Sequence, residues 1–168
     1  MSRERPRANP KQLPARHHPA HGVLISEWQP TIVFLTVCTK DRSRWLANEQ
    51  VHQTVKDAWT DADAWLVGRY VVMPDHIHLF VSPIDTSVSL DNWIKFWKSQ
   101  FTKIAKKDRT FRLPSHPWQT DHWDTRLRNR RSYESKWEYV RNNPVRHGLV
   151  AQAEDWPYQG EMHNLRWN

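Results

Sequence analysis

The order of strand-like and helix-like segments constrains the fold of this chain more than any other feature of its sequence. β-branched and aromatic residues predict four strands, at 31–39, 65–73, 76–82 and 118–128. Apolar residues spaced three or four positions apart predict three helices, at 47–63, 89–107 and 131–142. The β-α-β-β-α-β order with a C-terminal helix is that of the ferredoxin-like α+β fold. It predicts a four-stranded antiparallel sheet with two helices on one face.

The helix at 89–107 has the clearest periodicity. Its apolar stripe consists of Leu90, Ile94, Trp97, Phe101 and Ile104. The last helix carries a second stripe that includes Trp137, and we expect Trp97 and Trp137 to lie in the core. Pro144 should end this last helix, because the residue before a proline disfavours the helical region.

Composition and charge favour a globular domain with a polyanionic partner. The chain has 168 residues, enough for one domain, and a net charge of +7. Residues 1–22 hold five basic residues against one acidic residue among several prolines, which predicts a flexible basic arm before a single domain at 23–168. One cysteine, Cys38, excludes an internal disulfide. No apolar run is long enough to cross a membrane, and we expect a cytoplasmic, nucleoid-associated protein with no membrane partner.

Basic side chains of the folded part predict where nucleic acid would bind. Six of them are expected to contact phosphates: Lys95, Lys98, Arg126, Arg128, Arg130 and Arg131. Trp123, in the predicted fourth strand, is placed to stack on an unpaired base. An excess of basic residues also serves solubility, so charge alone does not establish nucleic-acid binding.

Two histidines, His76 and His78, occupy alternate positions of a predicted strand. Alternate residues of a strand share a face, so both imidazoles project to one side while Ile77 faces the core. Two nitrogen ligands on a stiff element suit a divalent metal. A His-X-His sequence is nevertheless common, and taken alone it is better explained by surface or hydrogen-bonded histidines.

Tyr139 and Asn143 are four residues apart near the end of the last predicted helix. Residues at this spacing share a helix face. That face is rotated by about 100° from the packing stripe of Tyr133, Trp137 and Val140, so a tyrosine there reaches a cleft rather than the core. An interfacial tyrosine followed by a helix-ending asparagine is the alternative interpretation.

Taken together, His76, His78, Tyr139 and Asn143 suit a metal-assisted attack on a phosphate. A divalent ion needs more ligands than two imidazoles, and an amide oxygen is a suitable hard ligand. A phenol keeps its proton at neutral pH and is a poor nucleophile without help. A metal that polarises a target phosphate provides that help.

Two longer motifs resemble those of a known family. The string VVMPDHIHLFV at 71–81 and the string EYVRNNPVRHGLV at 138–150 are similar to the His-hydrophobic-His strand and the tyrosine-bearing helix of REP-associated tyrosine transposases. These proteins are single-tyrosine transposases within the HUH endonuclease superfamily. Shorter matches lie at 98–101, 118–119, 127–128 and 155–158, and the likeness covers about residues 30–160.

The resemblance implies a set of roles for these residues. His76, His78 and Asn143 would bind a divalent metal, Mg²⁺ or Mn²⁺, and Tyr139 would be the nucleophile on a C-terminal catalytic helix. The substrate would be single-stranded DNA near imperfect palindromes that fold into hairpins. Cleavage would leave a covalent 5′-phosphotyrosine and a free 3′-hydroxyl. Insertion-sequence relatives are dimers, whereas the REP-associated branch acts as monomers, and we expect a monomer here.

Two other classes of function remain open from the residues alone. The same topology hosts non-catalytic nucleic-acid-binding modules that stack bases on aromatic side chains, although Phe80 is the only aromatic residue on the third predicted strand. A zinc hydrolase would want a third histidine or a carboxylate near the histidine pair, and no such spaced motif is evident. Asp124 matches an acidic position of the resembled family, where it would orient a histidine or pair with an arginine.

Overall fold

A computed structural model describes residues 31–167, and its strands form one antiparallel sheet; the predicted arm at 1–22 lies outside the described residues. The strands are β1 Ile32–Thr39, β2 Trp65–Val72, β3 His76–Pro83, β4 Trp118–Leu127 and β5 Gln159–Glu161. The α-helices are α1 Glu49–Asp61, α2 Leu90–Lys107, α3 Arg130–Arg141 and α4 Asn143–Arg146. The strand order is β4-β1-β3-β2-β5, which extends the ferredoxin-like sheet at one edge. The predicted fold class is confirmed.

The sheet has five strands, and the prediction of four is corrected by the short edge strand β5. This strand runs antiparallel to β2, with Gly160 opposite Tyr70. It has three residues, Gln-Gly-Glu, none of them β-branched or aromatic. Strand β5 pairs through its backbone with β2, and its side chains have no strand-like pattern. It could therefore not be predicted from the residue pattern.

Helices cover both faces of the sheet, and each face has its own core. On one face α1 and α2 pack against Leu35, Ile77 and Leu79, with Trp93 and Trp97 filling the centre. This is the predicted pair of helices on one side, and Trp97 is fully buried as expected. Because β3 alternates between the two faces, its remaining side chains point to the opposite side, where α3 lies.

An aromatic layer holds α3 on that second face. Phe80 of β3 is fully buried, and its ring meets Tyr133 edge to face at a centroid distance of 4.9 Å. Trp137 approaches the same ring at 6.1 Å, and Val140 is buried in the same cluster. Arg69 of β2 lies over the rings of Tyr133 and Trp137, at 5.4 and 5.5 Å from their centroids. The predicted packing stripe of α3 therefore faces the sheet.

The end of α3 differs from the prediction. The helix stops at Arg141, and the Nδ2 group of Asn142 donates to the Glu138 carbonyl at 2.8 Å. A side chain that bonds the backbone in this way competes with the helical hydrogen bonds. Pro144 then lies in the first turn of the short helix α4, a position that proline tolerates. None of the helices between residues 31 and 167 is long and apolar enough to cross a membrane.

Candidate active site

His76 and His78 lie side by side on the face of the sheet that α3 covers. Both belong to β3 and alternate with Ile77, which points into the opposite core. Their Nε2 atoms are 3.1 Å apart, and His76 is only 5% exposed. The prediction that the two imidazoles share one face is confirmed by this geometry.

Each imidazole is anchored through its outer nitrogen. The Nδ1 atom of His76 is 2.7 Å from Oδ1 of Asp75, and that carboxylate also accepts from Nε of Arg42 at 2.8 Å. The Nδ1 atom of His78 is 2.9 Å from the hydroxyl of Thr36, its direct partner on β1. Hydrogen bonds of this kind fix ring orientation and leave the Nε2 atoms facing each other.

Burial makes both histidines neutral. It lowers the pKa of His76, and it lowers the pKa of His78 to about 3, an effect that His76 and Arg146 reinforce. Burial alone would raise the pKa of Asp75, but the hydrogen bond from His76 and the charge of Arg42 hold that pKa below its usual range. The group at Asp75 is therefore a carboxylate, which only accepts, and His76 must donate from Nδ1.

The protonation of the pair follows from these bonds. With its Nδ1 proton bound to Asp75, neutral His76 carries a lone pair on Nε2. The Thr36 hydroxyl can donate or accept, so His78 can present either a proton or a lone pair to His76. In the free protein, Nε2 of His78 can donate its proton to the lone pair of His76. If a cation bound both Nε2 atoms, the proton of His78 would move to Nδ1, where the Thr36 hydroxyl can accept it, and both rings would stay neutral.

Tyr139 lies in the last turn of α3 and is 59% exposed, unlike the buried Tyr133 on the packing face. The guanidinium carbon of Arg146 lies 3.8 Å from the centroid of its ring. The ammonium of Lys136 is 5.9 Å from the same ring and 5.1 Å from that of Phe34, which in turn packs on His78. Tyr139 is thus accessible and flanked by two positive charges.

Asn143 is buried beside the histidines, at 6% exposure. Its Nδ2 atom is 3.5 Å from Nε2 of His76, and its Oδ1 atom accepts from Nη2 of Arg146 at 2.9 Å. Because α3 ends at Arg141, Asn143 belongs to α4 rather than to the same continuous helix as Tyr139. The four-residue spacing therefore spans a break between two helices, and the turn at Asn142 brings Asn143 to the histidine pair.

The turn after β1 brings Arg42 into this network. Asp41 and Arg42 both have positive φ angles, 56° and 57°, a left-handed conformation that costs energy for residues other than glycine. This turn returns the Arg42 side chain over the end of β1, where Nη1 donates to Sγ of Cys38 at 2.9 Å. Cys38 is buried, as a small core residue should be.

The predicted nucleic-acid contacts are divided between the two faces of the sheet. Trp123 pairs with Thr36 in the sheet register and is 37% exposed on the face of the histidines. Exposed arginines cluster where β4 leads into α3: Arg128, Arg130 and Arg131. The remaining three lie on the side of α1 and α2: Lys95, Lys98 and Arg126.

Lys98 is in an unusual environment for a phosphate contact. Its ammonium donates to the carbonyl of Gln119 at 2.8 Å, and burial lowers its pKa to about 8. A cavity of about 400 Å³ lies beside it, between α2 and the start of β4. This cavity is on the other side of the sheet from His76 and His78, so the structure does not bring Lys98 to the histidine pair.

Sequence reasoning missed four residues of the site: Thr36, Arg42, Asp75 and Arg146. Asp75 directly precedes His76 in the connection between β2 and β3, while Arg146 lies one turn after Asn143 in the short helix α4, which was not predicted. Thr36 and Arg42 reach the site through strand pairing and a left-handed turn, for which the sequence carries no periodic signal. Asp124 lies near His122, with Oδ1 3.5 Å from Nε2, and does not orient the His76–His78 pair.

A family model for IS200-like transposases matches residues 29–143, a span that contains β1, both histidines, Tyr139 and Asn143. The chain belongs to this family. The resemblance to REP-associated tyrosine transposases, drawn from the two motifs, is confirmed.

Two curated relatives of this IS200-like transposase carry the REP-associated name. The chain is 29% identical over 133 residues to the REP-associated tyrosine transposase of Escherichia coli K12, covering 74% of this chain and 73% of the relative. It is 32% identical over 94 residues to a Haemophilus influenzae protein provisionally given the same name. The match spans 52% of this chain and about half of the length of the Haemophilus influenzae protein, 53%.

The fold of this IS200-like transposase also matches a solved structure. That structure is of a REP-associated tyrosine transposase bound to a REP hairpin, and the TM-score is 0.66 at 24% sequence identity. The match covers 82% of this chain and 81% of the other. The likeness supports the same arrangement of sheet and helices in both proteins.

Proposed function

We propose that this protein is a metal-dependent single-strand DNA endonuclease and strand transferase that forms a 5′-phosphotyrosine intermediate. The Tyr139 oxygen attacks a DNA phosphorus, the bond from phosphorus to the 3′ oxygen breaks, and a phosphotyrosine and a free 3′-hydroxyl result. The phenolic proton is lost to solvent, and the 3′ oxygen gains a proton. The reverse attack by a 3′-hydroxyl would rejoin strands.

One observation carries this proposal: an exposed tyrosine and a buried pair of neutral histidines meet at one corner of the molecule. Asn143 contacts His76, and Arg146 connects Asn143 with the ring of Tyr139. A second connection runs from His78 through Phe34 to Lys136 and Tyr139. A nucleophile beside a set of metal-type ligands, with cations around it, is suited to phosphoryl transfer.

The donors at this corner fit a divalent ion such as Mg²⁺ or Mn²⁺. His76 and His78 would supply two neutral Nε2 ligands from anchored rings. For Asn143 to act as the third ligand, its amide must present the oxygen rather than the nitrogen to the histidines, and the bond from Arg146 must adjust with it. When bound, the ion would act as a Lewis acid on the target phosphate.

A zinc hydrolase is the less suitable alternative. Within residues 31–167, no three His, Cys, Asp or Glu side chains lie close enough to hold a metal together. Zinc sites in proteins usually have three or four such ligands. A harder ion that accepts an amide, water and the DNA phosphate itself suits this set of donors better.

The sheet is also unsuited to a module that only stacks bases. Such modules use an open sheet face, whereas α1 and α2 cover one face and α3 covers the other. Trp123 remains partly exposed at the margin of the histidine face, and we propose that it stacks on one unpaired base near the cleaved phosphate. Arg128, Arg130 and Arg131 would hold the adjoining backbone.

We further propose hairpin-forming single-stranded DNA as the substrate and a monomer as the active form. The solved relative bound to a REP hairpin supports the first point. The second is supported because Tyr139 lies at the histidine pair of its own chain, so one copy holds both halves of the site. In a dimer that exchanges its catalytic helices, Tyr139 would not need to lie at the histidine pair of its own chain.

The test is a search for a covalent complex. The protein would be incubated with Mg²⁺ or Mn²⁺ and with single-stranded oligonucleotides from the DNA that flanks its own gene, chosen to contain imperfect palindromes. A complex that survives denaturing electrophoresis, with a free 3′ end on the released strand, is the expected result. Strand cleavage without any protein–DNA adduct would contradict the tyrosine mechanism.

Replacing Asp75 by Ala should weaken metal binding without removing either imidazole. The Asp75 carboxylate orients His76 at 2.7 Å, and loss of such a partner typically lowers metal affinity by about 10- to 100-fold. Titration of cleavage rate against Mn²⁺ measures this, and saturating Mn²⁺ should restore most of the rate. Asp85→Ala, at an exposed turn, is the matched control; equal Mn²⁺ requirements in the two variants would show that Asp75 is not a support of the site.

A further inference from the structure

Arg146 contacts both Tyr139 and Asn143. Its guanidinium stacks on the ring of Tyr139, with Cζ 3.8 Å from the centroid. Nη1 donates to the carbonyl of Tyr139 at 2.6 Å, and Nη2 donates to Oδ1 of Asn143 at 2.9 Å. One side chain therefore touches both the proposed nucleophile and the residue next to the histidines.

Much of the hydrogen-bonding capacity of this guanidinium is unused. An arginine side chain has five N–H donors, and the contacts of Arg146 employ two of them. No carboxylate in the described part of the chain forms an ion pair with it, and the residue is exposed. By contrast, Arg42, Arg69 and Arg141 are each paired with an acidic side chain. Arg146 is thus a fixed, uncompensated positive charge beside Tyr139.

We propose that Arg146 is a second catalytic residue, which donates hydrogen bonds to the non-bridging oxygens of the phosphate that Tyr139 attacks. This inference rests on the proposed function. As the bond from the tyrosine oxygen to phosphorus forms and the bond to the 3′ oxygen breaks, negative charge accumulates on those oxygens. A planar fork of donors held beside Tyr139 can stabilise that charge through paired hydrogen bonds.

Lys136 is the other cation near Tyr139, but it is less suited to this task. Its ammonium is 5.9 Å from the centroid of the Tyr139 ring and is closer to the ring of Phe34. An ammonium is a point charge and lacks the planar fork that binds phosphate oxygens in pairs. Arg146 is also tied to Asn143, so its position is coupled to the histidine corner.

Arg146→Gln and Arg146→Lys test the assignment in the full-length protein. The readout is single-turnover cleavage of a flank oligonucleotide that contains either the natural scissile phosphate or a methylphosphonate, which lacks the negative charge. With the phosphate, Arg146→Gln should slow cleavage by about 10²- to 10³-fold, the usual loss for one donor to a developing charge. With the methylphosphonate, where less charge develops, the same substitution should cost about tenfold or less. Arg146→Lys should show an intermediate loss on the phosphate substrate.

Arg141→Ala is the matched control, because Arg141 lies two residues after Tyr139 and pairs with Glu154; its cleavage rate should stay near that of the wild type. Hairpin affinity and melting temperature should change little in all three variants. An equal fold-loss for Arg146→Gln on both substrates would overturn the inference, as would a wild-type rate on the phosphate. If the wild-type protein forms no covalent complex with any flanking oligonucleotide, the proposed function itself is overturned. The failure of the Arg146 assignment is therefore distinguishable from the failure of the proposed function.

Discussion

Replacing Tyr139 by Phe should eliminate both DNA cleavage and the covalent protein–DNA complex. The substitution removes the oxygen that we propose as the nucleophile and keeps the ring on which Arg146 stacks. Removing a nucleophile typically lowers a catalysed rate on the order of 10⁴-fold or more. Because Tyr139 is 59% exposed, the melting temperature and the affinity for the hairpin should barely change. Denaturing electrophoresis with labelled DNA measures the adduct, and a gel shift measures binding.

Tyr133→Phe is the matched control for this experiment. Tyr133 belongs to the same helix but is buried against Phe80 and is only 3% exposed. Its variant should cleave at a rate near that of the wild type. If Tyr133 proves essential and Tyr139 dispensable, the wrong tyrosine has been assigned; an active double variant would eliminate the tyrosine mechanism.

Replacing His76 or His78 by Ala should also abolish cleavage while leaving DNA binding largely intact. Each change removes one of two Nε2 atoms that face each other at 3.1 Å, so a divalent ion would lose half of its imidazole ligands. The DNA backbone makes many other contacts, and one phosphate contributes little to total affinity. Cleavage assays with Mg²⁺ or Mn²⁺, together with calorimetric titration of Mn²⁺ into the free protein, measure the two effects separately.

His116→Ala is the control for the histidine variants, because this exposed residue lies in the loop before β4. It should bind Mn²⁺ and cleave DNA like the wild type. The metal-site assignment would be wrong if the His76→Ala, His78→Ala double variant cleaved at a normal rate. Melting temperatures of all variants distinguish a lost ligand from a lost fold.

The main elements of this fold could be predicted from the sequence because their side chains follow regular periods. In β3 and in α2 one face is buried, and burial of one face requires apolar residues at regular intervals along the sequence. The edge strand β5 has no such periodic pattern, since only its backbone pairs with β2. At the end of α3, the Asn142 side chain donates to the Glu138 carbonyl, and a bond of this kind competes locally with the helix.

The candidate site was predictable in part for the same reason. His76 and His78 share a face by simple alternation, and Tyr139 lies off the packing stripe of its helix, so both positions follow from local geometry. The residues that support them come from elsewhere in the chain: Thr36 by strand register and Arg42 through a left-handed turn. Such contacts depend on tertiary structure, which single-sequence periodicity does not encode.

The aromatic layer under α3 has a consequence for how such proteins can diverge. Phe80 follows His78 by two residues on the same strand, and α3 rests on its ring through Tyr133 and Trp137. The size of the Phe80 side chain therefore contributes to the height at which the tyrosine-bearing helix lies above the histidines. A smaller residue at this position would lower the helix and move Tyr139 relative to the histidines, although every polar residue of the site stayed the same. Related proteins could therefore differ in the position of this tyrosine through the packing beneath the helix, with the same polar residues above it.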